Sequence, residues 1–539
     1  MNEDSSADGG RSDREGRRTS GGGHQHGGAR RGDGQPGDGR GGDGRGGDSR
    51  PRAGRPVRDR PNGGRPARQR TAQRPADRAR DADPARRAAY DTLRTVADSD
   101  SYANLTLPPL LRQRGIRGRD AAFATELAYG TLRYRDRYDA VIATVSARPL
   151  AQLDPPVLDV LRLGVHQVLA MRVPDHAAVS ATVGLARGTV GAGSAQFVNA
   201  ILRQVTGRPL EEWLEIIGAE TADETERLAV TTSHPSWIVR ALRHALSETP
   251  EGADDLPALL DADNAAPAVT VVLRPGLATT EDVPDAEPGR WTSTARVLTH
   301  GDPAALDVVR HARAGVQDEG SQLVTLAAAA AQVDGPDTTW LDLCAGPGGK
   351  AALFGALLAE RAPGGVLIAN EFSPHRTRLV EQSTAALREI LPGLDVRTGD
   401  GREVGPEDAG NPDGFDRVLV DVPCTGLGAL RRRPESRWRR TPKDLATLGP
   451  LQRELLTAAL QATRPGGVVA YVTCSPHVAE TRTVVQDVLK RTEHAELLNA
   501  VEIAAQVTTT PLPAQDGPFL QLWPHRHGTD AMFLALIRR

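Results

Sequence analysis

The stretch "TTWLDLCAGPGGKAALFGALLAE", Thr338 to Glu360, joins a short apolar run, a turn of small residues and a run with helical spacing. Bounded by Gly and Pro, the first part predicts a buried strand, and "KAALFGALLAE" predicts a helix. Glycines in such a turn let the backbone approach a ligand closely. The helix start favours a negative group such as a carboxylate. The turn, Cys344 to Lys350, lacks GxGxxG spacing, and an ordinary tight strand-to-helix turn would read the same way.

The alternation continues downstream. "GGVLIANE" is a second strand, followed by the helix "PHRTRLVEQSTAALREI"; "LDVRTGD", "FDRVLVDVP" and "GGVVAYVTCS" are further strands, and "DAMFLALIRR" closes the chain. This predicts an α/β fold, a mostly parallel sheet with helices on both faces and ligands beyond the carboxyl ends of its strands. Cys344, Glu371, Asp400, Asp421, Cys424 and Cys474 fall at or just past those ends. Glu371, 21 residues beyond Lys350, is placed to accept hydrogen bonds from ribose hydroxyls; its alternative is a solvated loop acid. Asp400, in "TGDGR", reads either as a ligand-facing acid or as an Asp-Gly turn residue.

Upstream, Asp83-Pro84 reads as N-cap and first helical residue, and residues 84–207 carry a helical apolar stripe through several segments. They form an all-α unit. Residues 208–315 read as a helical connector and a small α/β subdomain entered by the strand "PAVTVVLRP", and 316–539 as the α/β domain. Residues 1–83 hold 19 Arg against 13 acids and almost no aliphatic side chains, a balance of +6 that leaves −9 for the rest. Such a segment cannot bury enough apolar surface to offset chain entropy, so it reads as a disordered tail, either loosely binding RNA phosphates or merely solubilising. The absence of a long apolar run or a signal-peptide core points to a cytoplasmic protein away from membranes.

Only three cysteines occur, Cys344, Cys424 and Cys474, with no CxxC pair, which argues against a metal site and a disulfide framework. A lone cysteine is most often a small core residue. Cys474, however, precedes Ser475-Pro476 and the run "HVAETRTVVQDVLKR". Ser475 as N-cap and Pro476 as first helical residue would set the sulfur near a helix N-terminus, whose roughly half positive charge lowers a thiol pKa from about 8.5. Cys424 lies in a small-residue loop beside Asp421. After it come Arg431, Arg432, Arg433, Arg437, Arg439, Arg440 and Lys443 against one acid, Glu435, with Trp438 among them. The run suits phosphate contacts plus base stacking, or a solvated face.

Together, "DLCAGPGGK", "DVPCTGLG" and "VTCS" resemble the S-adenosylmethionine-dependent RNA cytosine-5 methyltransferases, whose Rossmann-like class I domain carries paired Pro-Cys and Thr-Cys motifs. "MRVPDHAAVSATVGLAR" and "FVNAILRQV" look like the NusB-like RNA-binding domain heading the ribosomal RNA small subunit methyltransferase B family, and "VQDEGSQLV" resembles that family's entry into the catalytic domain. The resemblance covers about 84–539. It implies a cofactor site of Cys344, Ala345, Gly346, Pro347, Gly348, Gly349, Lys350, Glu371, Asp400 and Asp421, with S-adenosyl-L-methionine as cofactor. Cys474 would be the nucleophile, Cys424 would assist product release, and Asp421 would also hold the cytosine edge. Ala351 stands where Thr often follows the Lys, and Glu371 where Asp is common; both departures are mild.

The reaction expected is methylation of C5 of a cytosine in 16S ribosomal RNA through a cysteine–C6 adduct, by a monomer that needs no metal. The alternatives are the same chemistry on tRNA or another rRNA site, and a non-catalytic RNA-binding assembly or antitermination factor. A binding module has no need of two cysteines, a Gly-rich turn and carboxylates at successive strand ends.

Overall fold

The computed structural model describes residues 83–99, 101–250, 252–410 and 412–539. Apart from Asp83, the tail expected over 1–83 lies outside them. Asp83 caps the first helix as its position predicts: its carboxylate accepts from the Arg86 amide at 2.8 Å, and Pro84 is the first helical residue. The helices α1 (Pro84–Asp98), α2 (Ala103–Gln113), α3 (Gly118–Arg133), α4 (Arg135–Val145), α5 (Pro155–Leu169), α6 (Asp175–Thr189) and α7 (Ala192–Val205) follow. Ala89 and Leu93 of α1, Leu127 of α3, Leu161 of α5 and Leu202 of α7 belong to one core.

The connector consists of α8 (Leu210–Ala219), α9 (Glu224–Thr232), α10 (Ser236–Ser247) and α11 (Leu256–Asp263). Ile238 and Leu242 of α10 and Leu260 of α11 share a core with Leu427, Leu430 and Trp523, so the connector seats the loop that follows Cys424. A small antiparallel sheet comes next, in the order β2-β3-β1-β4, from β1 (Val269–Leu273), β2 (Ala286–Pro288), β3 (Ala295–Leu298) and β4 (Ala314–Val316). Val316 pairs with Val271. The boundary expected between 315 and 316 therefore runs through a strand, and the small sheet extends one residue further.

After α12 (Glu319–Ala330), strand and helix alternate through β5 (Thr339–Asp342), α13 (Gly349–Arg361), β6 (Val366–Glu371), α14 (Pro374–Ser383), β7 (Gly393–Thr398), β8 (Phe415–Asp421), α15 (Pro442–Ala462), β9 (Thr463–Thr473) and α16 (Arg482–Leu489). Three strands complete the sheet: β10 (Glu496–Leu498), β11 (Leu520–Gln521) and β12 (Phe533–Arg538). The order is β10-β12-β9-β8-β5-β6-β7, with β9 to β7 all parallel and β12 antiparallel to β9. Alternation assigns the faces: Trp340 and Leu419 pack with Leu323 of α12 and Phe354 of α13, whereas Leu341, Val418 and Val420 pack with Leu456 of α15 and Val485 of α16. The mostly parallel, doubly covered sheet is thus the fold expected. From β5 the chain moves outward to β6 and β7, then returns to β8 on the other side. This reversal opens a crevice at the carboxyl ends of β5 and β8.

Candidate active site at the carboxyl ends of the central strands

The turn after β5 closes onto β6. Gly346 N donates to Glu371 Oε2 at 3.0 Å and Ser373 N to Oε1 at 3.0 Å, while Arg376 approaches the same carboxylate at 3.5 Å. A Cβ on Gly346 would lie 2.2 Å from Glu371 Oε2, so only glycine permits this approach. Gly348, at φ 105°, adopts the left-handed backbone that ends the turn and starts α13. Glu371 is nearly buried, and directly after it the Phe372 ring is 73% exposed, a flat apolar surface beside a carboxylate.

Behind the turn, Lys350 Nζ binds Asp421 Oδ2 at 2.8 Å. Asp342, at the end of β5, is buried, and neither of its carboxylate oxygens has a hydrogen-bond partner. Burial pushes its pKa up to about 8, and the charge of Asp421 adds to this. Cys344 is likewise pushed well above the usual thiol range, first by burial and then by Asp342 and Asp421. Asp421 and Asp342 thus act on the Lys350 ammonium while Glu371 holds the turn beside them, three carboxylates suited to a cationic ligand. Orphaned Asp342, the close-approach Gly346 and the carboxylate-plus-ring pair of Glu371 and Phe372 fit S-adenosylmethionine, with its sulfonium, ribose and purine. Asp400 is different: its carboxylate turns to Arg402 at 2.6 Å, and that bond holds its pKa below the usual range.

Beside this crevice, the two candidate sulfurs meet. Cys424 Sγ and Cys474 Sγ are 3.4 Å apart, within hydrogen-bond reach of each other and with no disulfide. The bond from Cys424 lowers the Cys474 pKa, with Lys350 and Arg433 adding to it against burial and Asp421. The same bond, together with burial, raises Cys424 well above its usual value. The two shifts run in opposite directions and favour ionisation at Cys474 over Cys424.

The helix expected to begin at Pro476 does not. β9 ends at Thr473, a short turn spans Val478–Glu480, and α16 starts only at Arg482. Ser475 caps no helix because its hydroxyl donates to Glu480 Oε2 at 2.7 Å, and the His477 ring caps the Val478–Glu480 turn instead. The electrostatic help for Cys474 comes from Cys424, Lys350 and Arg433, not from a helix end. Glu480 itself was missed in the sequence, as were Asp342 and Phe372. It is fully buried and joins both cysteine loops, accepting from Thr425 N at 2.7 Å and from the Thr425 hydroxyl as well as from Ser475.

The basic run also requires correction. Arg431 and Arg432 are drawn inward onto Asp318 and Asp530, with Arg431 at 2.9 Å from each. Asp318 also caps α12, which gives "VQDEGSQLV" a physical role: it holds the loop after Cys424. The Arg437 side chain is fully buried, donating to Arg133 O (2.9 Å), Asn264 Oδ1 (2.8 Å), Asp263 O (2.8 Å) and Ser233 O (3.2 Å). Arg439 donates to the carbonyls of Val96 and Ser101, and Trp438 lies under the Arg135 guanidinium at 5.4 Å. These side chains bind the α-helical region to the sheet domain, because buried guanidinium groups must be paired. Of the seven expected RNA contacts, Arg433 is exposed, stacked over Tyr102 at 5.1 Å, and Arg440 is partly exposed near Asp444; neighbouring Lys443 is exposed too.

Among the described residues no helix is long and apolar enough to cross a membrane, and no group of three or more His, Cys, Asp or Glu could hold a metal ion. Fold and crevice together define the class: an S-adenosylmethionine-dependent methyltransferase. The family model described as 16S rRNA methyltransferase RsmB/F matches residues 331–538, and the NusB family model matches residues 83–207. "Putative methyltransferase Rv1407" of Mycobacterium tuberculosis (strain ATCC 25618 / H37Rv) is 49% identical over 466 residues, covering 86% of this chain and 98% of that protein. "Ribosomal RNA small subunit methyltransferase B" of Enterobacter sp. (strain 638) is 30% identical over 454 residues, covering 82% and 95%. The structure reported as "Crystal Structure of PH0851" superposes with a TM-score of 0.68 at 20% identity, over 85% of this chain and 98% of that one, which shows the shared fold. The chain belongs to the RsmB/F methyltransferase family, with a NusB domain at the head of its described part.

Proposed function

We propose that the protein methylates C5 of a cytosine in 16S ribosomal RNA, with Cys474 as nucleophile and Cys424 as the residue that assists release. The observation that carries this reading is the 3.4 Å contact between two sulfurs of unequal acidity at the carboxyl ends of β8 and β9. Cytosine C5 is a poor nucleophile. Addition of the Cys474 thiolate to C6 moves electron density to C5, which can then attack a methyl group. Bound S-adenosylmethionine supplies that methyl group in electrophilic form. Asp421, fixed through Oδ2 by Lys350, has Oδ1 left to accept from the cytosine amino group. After transfer, a water molecule takes the C5 proton and the C6–S electron pair returns to sulfur, restoring Cys474 as thiolate; the Cys424 thiol, in contact with that sulfur, assists by hydrogen-bonding the departing thiolate. The base must leave its stack to reach the crevice.

Ribosomal RNA is favoured over tRNA by the NusB match and by the relative whose name specifies the small subunit. A cytoplasmic location follows from that substrate. Bisulfite sequencing of 16S rRNA from cells with and without the gene tests the assignment. One protected cytosine should become convertible on deletion; a protected cytosine lost only from tRNA would move the substrate and keep the chemistry.

A further inference from the structure

We infer that Glu480 is a positioning residue of the two-thiol centre, clamping the loop that carries Cys424 to the loop that carries Cys474 and setting its negative charge beside Cys424. The inference rests on the reading of Cys474 as nucleophile and adds a residue that makes no contact with the reacting atoms.

The geometry is specific. Each cysteine is followed by a hydroxyl residue, Thr425 and Ser475, and both hydroxyls converge on the one carboxylate. Thr425 N donates to Oε1 at 2.7 Å, and Gln452 Nε2, from the middle of α15, donates to the same oxygen at 3.2 Å while also holding Pro423 O at 2.9 Å. The Glu480 carbonyl accepts from the Tyr471 hydroxyl at 2.7 Å, tying the clamp to β9 itself. Four donors therefore fill the two oxygens, and none carries a formal charge. A fully buried carboxylate without a cation among its donors is costly to keep, yet four donors on two oxygens suit a carboxylate, because an amide would turn its own N–H groups toward two of them. What the charge adds is a field: Glu480 acts to keep Cys424 protonated, whereas Lys350 and Arg433 favour the Cys474 thiolate. The other charged or titratable groups acting on the pair are Asp421, which disfavours ionisation of both, and Tyr471, which is itself held protonated by burial.

The test uses the full-length protein with Glu480→Gln and Glu480→Asp. Iodoacetamide labelling of each cysteine is followed by mass spectrometry across pH, beside steady-state methyl transfer. In Glu480→Gln, Cys424 should begin to alkylate at lower pH, closing the gap to Cys474. Its kcat should fall by about 10²-fold, the cost of a small misplacement of reacting groups, with KM for S-adenosylmethionine unchanged. Glu480→Asp, which keeps the charge, should retain the wild-type order of the two thiols. A Glu480→Gln enzyme with wild-type labelling order and kcat overturns the inference. Should Glu480→Gln fail to fold by circular dichroism, Thr425→Val decides, since it removes one clamp donor only: reduced kcat supports the clamp, and wild-type kcat overturns it. Cys474→Ala run in parallel separates the two levels, because full activity there sinks the underlying reading whatever Glu480 does.

Discussion

Arg437→Ala removes a buried guanidinium that four acceptors share, among them Arg133 O at the end of α3 and Asn264 Oδ1 just after α11. A hydrogen bond from a charged donor contributes about 1.5–3 kcal/mol net, but the four do not add, since one group makes them all. Three acceptors are backbone carbonyls that would be left buried and unpaired, so the better guide is truncation of one partner of a buried charged contact, about 3–5 kcal/mol. That is a large share of the roughly 5–15 kcal/mol that holds a domain folded. Urea denaturation followed by tryptophan fluorescence should show a loss of this size. RNA affinity measured across salt concentrations should keep its slope, because Arg437 meets no phosphate. A stability unchanged within about 0.5 kcal/mol, together with a salt slope shallower by about 0.7–0.9, would refute the interdomain assignment and restore Arg437 to the RNA surface.

Asp263 is fully buried and neither carboxylate oxygen has a hydrogen-bond partner; burial pushes its pKa up to about 7. Its unfolded value lies near 4, so the fold favours the neutral acid: stability is greatest below about pH 4 and falls as pH rises to 7. Asp263→Asn should therefore gain up to roughly 4 kcal/mol over wild type at pH 8 and little at pH 4, by thermal unfolding; a gain equal at both pH values would defeat the argument. Glu371→Gln weakens the hold on the Gly346 turn and should reduce S-adenosylmethionine affinity by about 10- to 100-fold in calorimetry. Lys350→Met removes a cation that favours the Cys474 thiolate, so the rising limb of the kcat/KM profile should move to higher pH, and a limb that stays in place or moves lower contradicts the field described.

The sheet was legible because its strands are nearly continuous apolar runs that end in Gly, Pro or Asp, and a parallel sheet covered on both faces demands such runs. The glycine turn, Lys350, Glu371, Asp421 and the cysteines were legible for the same reason: each stands at or just past the end of a strand. Glu480 was not, since nothing local separates a buried hub from any surface Glu at a helix start; only the return of β9 against β8 brings Thr425 and Ser475 together. Arg431, Arg432 and Arg437 misled because seven basic residues in a short stretch look like a phosphate surface when their partners, Asp318, Asp530, Asp263 and Asn264, lie far away in sequence. The Ser475-Pro476 cap failed through competition, as the serine hydroxyl found a buried carboxylate before it could cap a helix.

The central claim is that Cys474 attacks and Cys424 releases. A denaturing gel of the protein incubated with small-subunit rRNA and S-adenosylmethionine tests it, with Cys424→Ala, Cys474→Ala and the double variant side by side. The expected result is a covalent protein–RNA band that accumulates in Cys424→Ala alone. A band accumulating in Cys474→Ala instead would reverse the two roles, and the absence of both adduct and methyl transfer for every form on any rRNA would contradict the account.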